Sequence, residues 1–143
     1  MPTETDVLVV GSGPGGLAAA NVLAQGAPDL RIMLIDARTR IGSPVRCGEM
    51  SCGALFDIMG FKRRARWVRW SLPKSDGMIV LDRPRMEYEM SRIVADSGVG
   101  VHERTSLTAI EAYRDGARWV TLSTPEGPRR VRARRVIAAD GVS

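Results

Sequence analysis

The sequence contains little cysteine and no long apolar run. Its two cysteines, Cys47 and Cys52, are too few for the disulfide framework of a small secreted domain and suit a reducing compartment. Residues 1–6 are polar and acidic, unlike a signal peptide, and the apolar run that follows is too short to span a bilayer. We therefore expect a cytoplasmic protein.

Lysine is also scarce. Lys62 and Lys74 are the only lysines in 143 residues, so the net charge of +5 comes almost wholly from arginine. Such a charge favours anionic partners, such as nucleotides, phosphorylated lipids or acidic membrane surfaces, but it selects none of them. The hydrophobic share of 44% and the charged share of 26% are those of a globular protein, and the length suits a single domain.

The first 36 residues predict a strand, a helix and a second strand. Residues 6–10 form a short β-branched apolar run that ends at a glycine, which is typical of a buried parallel strand. Pro14 suits the first turn of a helix, and Gly26 ends that helix. Residues 31–36 predict a second buried strand, so we expect a right-handed βαβ unit.

A glycine triplet lies between the first predicted strand and the helix. Gly11, Gly13 and Gly16 fit the pattern G-x-G-x-x-G. The first glycine permits a tight turn, the second lets the backbone approach a pyrophosphate, and the third lets the helix pack close to the strand. Asp36, twenty residues beyond Gly16, is placed to accept hydrogen bonds from ribose hydroxyls. A Walker-type P-loop is excluded, because no G-K-[ST] follows the glycines.

We call the turn with Gly11, Gly13 and Gly16, together with Asp36, the dinucleotide cradle. By itself it does not show whether the dinucleotide is FAD or NAD. Arg38 is either a contact for a 2′-phosphate or a solvated side chain. A non-catalytic nucleotide-binding module is a further alternative at this point.

The rest of the chain predicts a mixture of helix and strand. A loop, a short helix, two strands and a longer helix are expected at residues 37–50, 52–59, 67–72, 78–81 and 84–96. A strand at residues 99–103, a meander at 106–113, 117–123 and 129–132, and a buried strand at 135–139 follow. The expected fold is α/β: a parallel sheet begun by a βαβ unit, with an antiparallel β-meander added.

Four segments resemble the geranylgeranyl reductase family, within the superfamily of flavoprotein hydroxylases and reductases. They are VVGSGPGGLAAA, IGSPVRCGE, LDRPRMEYEM and VIAADGVS. The first and last occur across the superfamily, and IGSPVRCGE is the most family-specific. The resemblance implies a Rossmann-like FAD/NAD(P)-binding domain over residues 1–143.

The resemblance also implies a set of cofactor contacts. In that family the first segment and the acid after the second strand bind the ADP half of FAD, which here gives Gly11, Gly13, Pro14, Gly15, Gly16 and Asp36. The loop that runs along the flavin gives Arg46, Cys47, Gly48 and Met50, and the remaining matches are Arg83, Leu107, Asp140 and Gly141. Cys47 is a candidate residue near the flavin, but no catalytic residue is assigned. No metal site is expected.

The implied reaction is hydride transfer from NAD(P)H to FAD and then to an isoprenoid double bond, on a chlorophyll-type or glycerolipid prenyl chain. Such a substrate implies peripheral membrane contact by the full-length protein. Aromatic monooxygenation is the alternative within the superfamily.

Family members continue through a substrate domain and a second flavin-binding segment that have no counterpart here, so we expect residues 1–143 to be the truncated N-terminal part.

The two cysteines offer another alternative. Cys47 and Cys52 have the C-x-x-x-x-C spacing of flavin disulfide reductases, and a dithiol at a helix start can exchange with a flavin. The sequence around the pair and the closing AADG do not follow the pattern of that class.

A run of arginines lies near the end of the sequence, at Arg129, Arg130, Arg132, Arg134 and Arg135. Alternation places Arg130, Arg132 and Arg134 on one strand face, which is interpreted as solvated. A nucleic-acid partner is not expected, because the run lacks interleaved aromatic residues. His102 is interpreted as a structural histidine.

Overall fold

The computed structural model describes residues 1–45, 49–71 and 77–141. Within these ranges it contains nine strands and three α-helices. In chain order they are β1 Glu4–Val10, α1 Pro14–Gly26, β2 Ile32–Ile35, β3 Met50–Cys52, α2 Leu55–Ile58, β4 Val68–Ser71, β5 Met78–Leu81, α3 Arg83–Asp96, β6 Gly100–His102, β7 Ser106–Ile110, β8 Arg118–Thr124 and β9 Gly127–Ala138.

Six strands form the main sheet, in the order β6-β2-β1-β9-β8-β7. The pairs β6–β2, β2–β1 and β1–β9 are parallel, whereas β9–β8 and β8–β7 are antiparallel. The predicted α/β fold, a parallel sheet that begins with a βαβ unit and carries an antiparallel meander, is confirmed.

Strand β9 belongs to both parts of this sheet. Its first half pairs with β8 and its second half with β1, so the two strands predicted at 129–132 and 135–139 are one continuous strand. Val131, Ala133 and Val136 all contact the same apolar cluster, although strict alternation would turn residue 136 away from it. The strand therefore rotates at Arg134 and Arg135, and both of these side chains are exposed there.

Two apolar cores lie on opposite sides of the parallel strands. Helices α1 and α3 cover one side, where Leu17 and Met90 are fully buried together with Val9 of β1. The meander covers the other side, where Leu122 and Val131 pack with Leu8 of β1. Alternate residues of β1 thus pack into different cores. The parallel strands are held between the helices and the meander, and the ends of these strands carry the candidate site.

A second, three-stranded antiparallel sheet has the order β3-β5-β4. The predicted helix at 52–59 is too long, because residues 50–52 pair with β5 and helix α2 begins only at Leu55. The strand predicted from residue 67 begins at Val68, since Trp67 lies in a 3₁₀ turn, Ala65–Trp67. Ile79 and Leu81 turn their side chains into the first core, while Trp70 is exposed on β4.

Helix α3 begins one residue earlier than predicted. Asp82 is its N-cap, and its side chain accepts a hydrogen bond from the backbone N–H of Arg85. The strand predicted at 106–113 is shorter, because β7 ends at Ile110. No helix in the described ranges is long and apolar enough to cross a membrane.

Candidate nucleotide-binding site

The turn between β1 and α1 is closed by two glycines that tolerate no side chain. Gly11 has a φ of 97°, and a Cβ there would lie 2.4 Å from the Ala139 carbonyl oxygen. A Cβ at Gly16 would lie 1.8 Å from the Gly11 carbonyl oxygen. Because all these contacts are with backbone, any larger residue must displace the main chain of the turn or of the β9 end. The geometry matches the tight turn and close helix packing predicted for these two positions.

Gly13 and Gly15 have a different surrounding. A Cβ on either one meets nothing within 4 Å. Gly13 is the N-cap of α1, and no side chain in the described part of the chain caps this helix end. The first N–H groups of α1 therefore face open space, which is the arrangement that binds a phosphate group. The cradle fits the pyrophosphate of a dinucleotide, since a side chain at Gly13 would fill the space that the phosphates require.

Asp36 follows β2 at the same edge of the sheet and is 7% exposed. One carboxylate oxygen accepts hydrogen bonds from the Ser12 N–H at 2.7 Å and the Ser12 hydroxyl at 2.5 Å. Arg38 donates three more, from its backbone N–H at 2.8 Å and from its guanidinium at 2.9 Å to each oxygen. Burial alone raises the pKa of Asp36, but the hydrogen bonds from Arg38 and Ser12 outweigh it and hold the pKa far below its usual value. Asp36 is therefore ionised throughout the neutral range.

Arg38 connects Asp36 to helix α3. Its Nη1 donates to Glu87 at 3.1 Å, and Glu87 is 1% exposed. The other Glu87 oxygen accepts from Arg83 Nε at 2.8 Å and also from Arg83 Nη2. Asp36, Arg38, Glu87 and Arg83 thus form one chain of alternating charges between the end of β2 and the start of α3. Arg38 is therefore not a solvated side chain.

The structure brings several predicted residues to one edge. Asp140 follows β9, and its Cα lies 2.8 Å from where a Gly11 Cβ would be. Gly141 comes next, with a φ of 71°. Thr105 N–H donates to the Asp36 carbonyl at 2.8 Å, which places the start of β7, and hence Leu107, beside the same edge. Leu107 is partly buried against the meander core.

Other predicted positions lie elsewhere or are not described. Met50 is on β3 and is 57% exposed. Arg46, Cys47 and Gly48 lie outside the described residues, so their predicted flavin contacts and the dithiol alternative stay predictions. Cys52 has an exposed, free thiol. His102 lies on β6, and its Nε2 is buried without a hydrogen-bond partner among the described residues.

Sequence reasoning missed two residues of this site. Ser12, an unspecified position of the glycine pattern, binds Asp36 through both its N–H and its hydroxyl, and nothing in the pattern singles it out. Glu87 carried a signal, because it lies four residues after Arg83 on a predicted helix and such pairs face each other.

Comparison with known proteins supplies the family context. Residues 2–71 match the model of the Thi4 family. Over 99% of its length the chain is 32% identical to digeranylgeranylglycerophospholipid reductase 1 of Methanothermobacter thermautotrophicus, of which it covers 40%. A geranylgeranyl bacteriochlorophyll reductase-like structure from Thermoplasma acidophilum superposes with a TM-score of 0.85 and 26% identity, over 96% of this chain and 39% of that one. In sequence and in fold the chain is similar to reductases of the FAD-dependent oxidoreductase superfamily.

Within this superfamily the sequence relatives are geranylgeranyl-type reductases, as the four segments predicted. A further relative, from Methanocella arvoryzae and also named digeranylgeranylglycerophospholipid reductase, is 28% identical over 99% of this chain and is 40% covered by it. The structure of p-nitrophenol 4-monooxygenase from Pseudomonas putida has a TM-score of 0.77 at 21% identity, over 99% of this chain and 42% of that one, and shares the fold. The chain spans about 40% of the length of the curated relatives it matches.

Proposed function

We propose that this chain binds FAD and forms the cofactor-binding part of an NAD(P)H-dependent reductase of isoprenoid double bonds. The observation that carries the proposal is the N-terminus of α1, where the space beside Gly13 is open. In the same turn, Gly11 and Gly16 leave no room for a side chain. Named relatives that act on geranylgeranyl glycerophospholipids supply the substrate class.

The residues of this chain bind and orient the cofactor. The α1 N-terminus offers N–H donors and a partial positive charge to the pyrophosphate. Asp36 presents a fully ionised carboxylate to the adenosine ribose, and a ribose hydroxyl that donates to it replaces or shares one of the bonds from Arg38. The chain of charges through Glu87 then holds Arg38 and Arg83 in place on either side. FAD, when bound, supplies the hydride chemistry, with NAD(P)H as the reductant.

The choice of FAD over a nicotinamide dinucleotide is tested by titrating the 143-residue chain with FAD, NADH and NADPH. We expect FAD to bind at least about tenfold more tightly than either nicotinamide cofactor, a difference of about 1.4 kcal/mol. Equal or tighter binding of NADH or NADPH would make the chain a nucleotide-binding module of another kind.

The reaction is tested in a protein that contains this chain at the full length of its relatives. With NAD(P)H and a glycerolipid that carries geranylgeranyl chains, each double bond reduced should take up two hydrogen atoms, one as hydride from the reduced flavin and one as a proton. Mass spectrometry of the lipid measures this gain. Oxygen-dependent hydroxylation of an aromatic compound, with the prenyl chains unchanged, would support the monooxygenase alternative instead.

A further inference from the structure

A surface rich in arginine lies along β8 and the part of β9 that precedes the cradle. It is built from residues that the arginine run alone did not reveal, because two aromatic side chains come from outside the run. Tyr113 is 47% exposed and Trp119 is 39% exposed. Both stand among the arginines of β8 and β9, and together they form what we call the arginine surface: Tyr113, Arg118, Trp119, Arg130, Arg132 and Arg135.

Guanidinium groups cover the aromatic rings of this surface. Arg118 and Arg135 lie over Tyr113, with their Cζ atoms 5.6 and 5.8 Å from the ring centre. Arg130 lies over Trp119 at 4.8 Å. Arg135 also donates to the Tyr113 hydroxyl at 3.0 Å. Such contacts hold the cations extended beside exposed aromatic rings.

The surface is continuous and concave. A cavity of about 460 Å³ is lined by Tyr113 and by Arg132, Arg134 and Arg135, together with Asp6, Asp115, Val7 and Leu30. A second cavity of about 530 Å³ shares Asp115 and Arg132 with it and extends to Glu111, Arg118 and Trp119.

The positive charge is only partly neutralised. Arg130 pairs with Glu111 at 2.5 Å, and Arg132 lies 3.8 Å from Glu4. Among the described residues no carboxylate comes within salt-bridge distance of Arg118 or Arg135, whose recorded ring contacts are both with Tyr113. The two guanidiniums beside Tyr113 therefore have no carboxylate partner among the described residues, whereas Arg130, which lies over Trp119, is paired with Glu111.

We propose that the arginine surface docks on an anionic lipid membrane. Arginines near a membrane surface attract acidic headgroups, while tryptophan and tyrosine side chains insert at the level of the headgroups. Ile110, 47% exposed at the end of β7, adds apolar area near Glu111 and Trp119. A single-stranded nucleic acid fits less well, because a guanidinium lies over each ring and competes for the face on which a base would stack.

This proposal does not rest on the proposed function, since none of its residues belongs to the cradle. It is tested by sedimenting the 143-residue chain with vesicles of phosphatidylglycerol and phosphatidylcholine in about equal parts, and with vesicles of phosphatidylcholine alone. We expect binding to the anionic vesicles only, and a decrease as salt is added. Equal binding to both kinds of vesicle, or binding to neither, would overturn the proposal.

A pair of matched double variants locates the binding surface. Arg118→Gln/Arg135→Gln should weaken binding to the anionic vesicles by at least about tenfold, since each arginine near the surface contributes substantially to the attraction. Arg63→Gln/Arg92→Gln removes the same charge from exposed positions elsewhere and should leave binding unchanged. Equal losses in both variants would show a non-specific charge effect and contradict the proposal. Circular dichroism checks that each variant is folded.

Tryptophan fluorescence gives an independent measurement. Brominated lipids in the anionic vesicles should quench the Trp70→Phe variant, which retains Trp119, and should quench the Trp119→Phe variant much less. The reverse result would place the exposed face of the small sheet at the membrane, and the arginine surface would be excluded. Tighter binding of a single-stranded oligonucleotide than of vesicles at the same salt, lost in Arg118→Gln/Arg135→Gln, would make the partner a nucleic acid.

Discussion

At Asp36, burial and hydrogen bonding act on the same carboxyl group in opposite directions. Burial raises its pKa, whereas the donors of Arg38 and Ser12 lower it by more, so the pKa in the folded protein lies below the usual value of 3.8. A carboxyl group with a depressed pKa stabilises the fold fully above its unfolded pKa. That contribution is lost as the pH falls towards the folded value.

The corresponding prediction compares wild type with Asp36→Asn. At neutral pH the variant should lose about 2 kcal/mol of unfolding free energy, because Arg38 loses one of its two carboxylate partners and keeps only Glu87. The difference between the two proteins should shrink as the pH falls below 3.8. Urea unfolding at a series of pH values measures it. Asp29→Asn, at an exposed position, serves as the control, and a difference that does not change with pH would contradict the account.

Glu87 is predicted to act as a positioning residue for Arg38 and Arg83. Glu87→Gln keeps the shape of the side chain but removes the carboxylate charge that pairs with both Arg38 and Arg83, which should cost about 3 kcal/mol of stability. It should also weaken FAD binding, because Arg38 supports Asp36. Glu89→Gln is a matched control on the same helix, since Glu89 binds Arg64, Arg66 and Trp67 away from the cradle. Equal FAD affinity in both variants would show that Glu87 has only a structural role.

At the scale of elements, one face of β8 packs the meander against the parallel strands. Val120 and Leu122 are fully buried against the parallel strands. Leu122→Ala should therefore lower the free energy of unfolding by about 2–5 kcal/mol, through the lost apolar contact and the cavity. Ile110→Ala, at a position 47% exposed on β7, should change it by less than about 1 kcal/mol. Similar losses in the two variants would mean that the meander is not packed as described.

The βαβ unit was predictable because periodicity, glycine and proline all act locally there. The boundaries of β1, α1 and β2 differ from the prediction by at most two residues. Two features depended on distant partners and were not predictable. Strand β3 exists because residues 50–52 pair with β5, and β9 is continuous because β8 and β1 pair with successive halves of it.

In the candidate site, too, some residues could be predicted from local sequence and others depended on distant partners. The glycines and Asp36 follow from spacing alone, whereas the bonds of Ser12 and Arg38 to Asp36 require the turn and the strand end to meet in space. The aromatic residues of the arginine surface were also missed, because Tyr113 and Trp119 reach the arginines only when the meander has folded.

At the scale of the whole molecule, β9 runs from the arginine surface to the cradle. Ala139, just after its end, contacts the turn at Gly11, while Arg130 and Arg135 lie on its earlier part. Because the two sites share no residue, variants in them should act independently. Arg118→Gln/Arg135→Gln should leave FAD affinity unchanged, and Gly13→Val should leave vesicle binding unchanged. Titration of FAD and of vesicles with both variants checks this, and a change at the remote site in either case would show coupling.

The central claim is that the space above Gly13 holds the FAD pyrophosphate. A Cβ at Gly13 meets no protein atom within 4 Å, so Gly13→Val should fold normally and clash only with the bound phosphates. Gly26→Val, at the other end of α1 and equally free of neighbours, is the matched control. The decisive measurement is a fluorescence titration of the three proteins with FAD. Wild type and Gly26→Val should bind alike, and Gly13→Val should show no measurable binding. FAD binding by Gly13→Val with the affinity of wild type would contradict the claim.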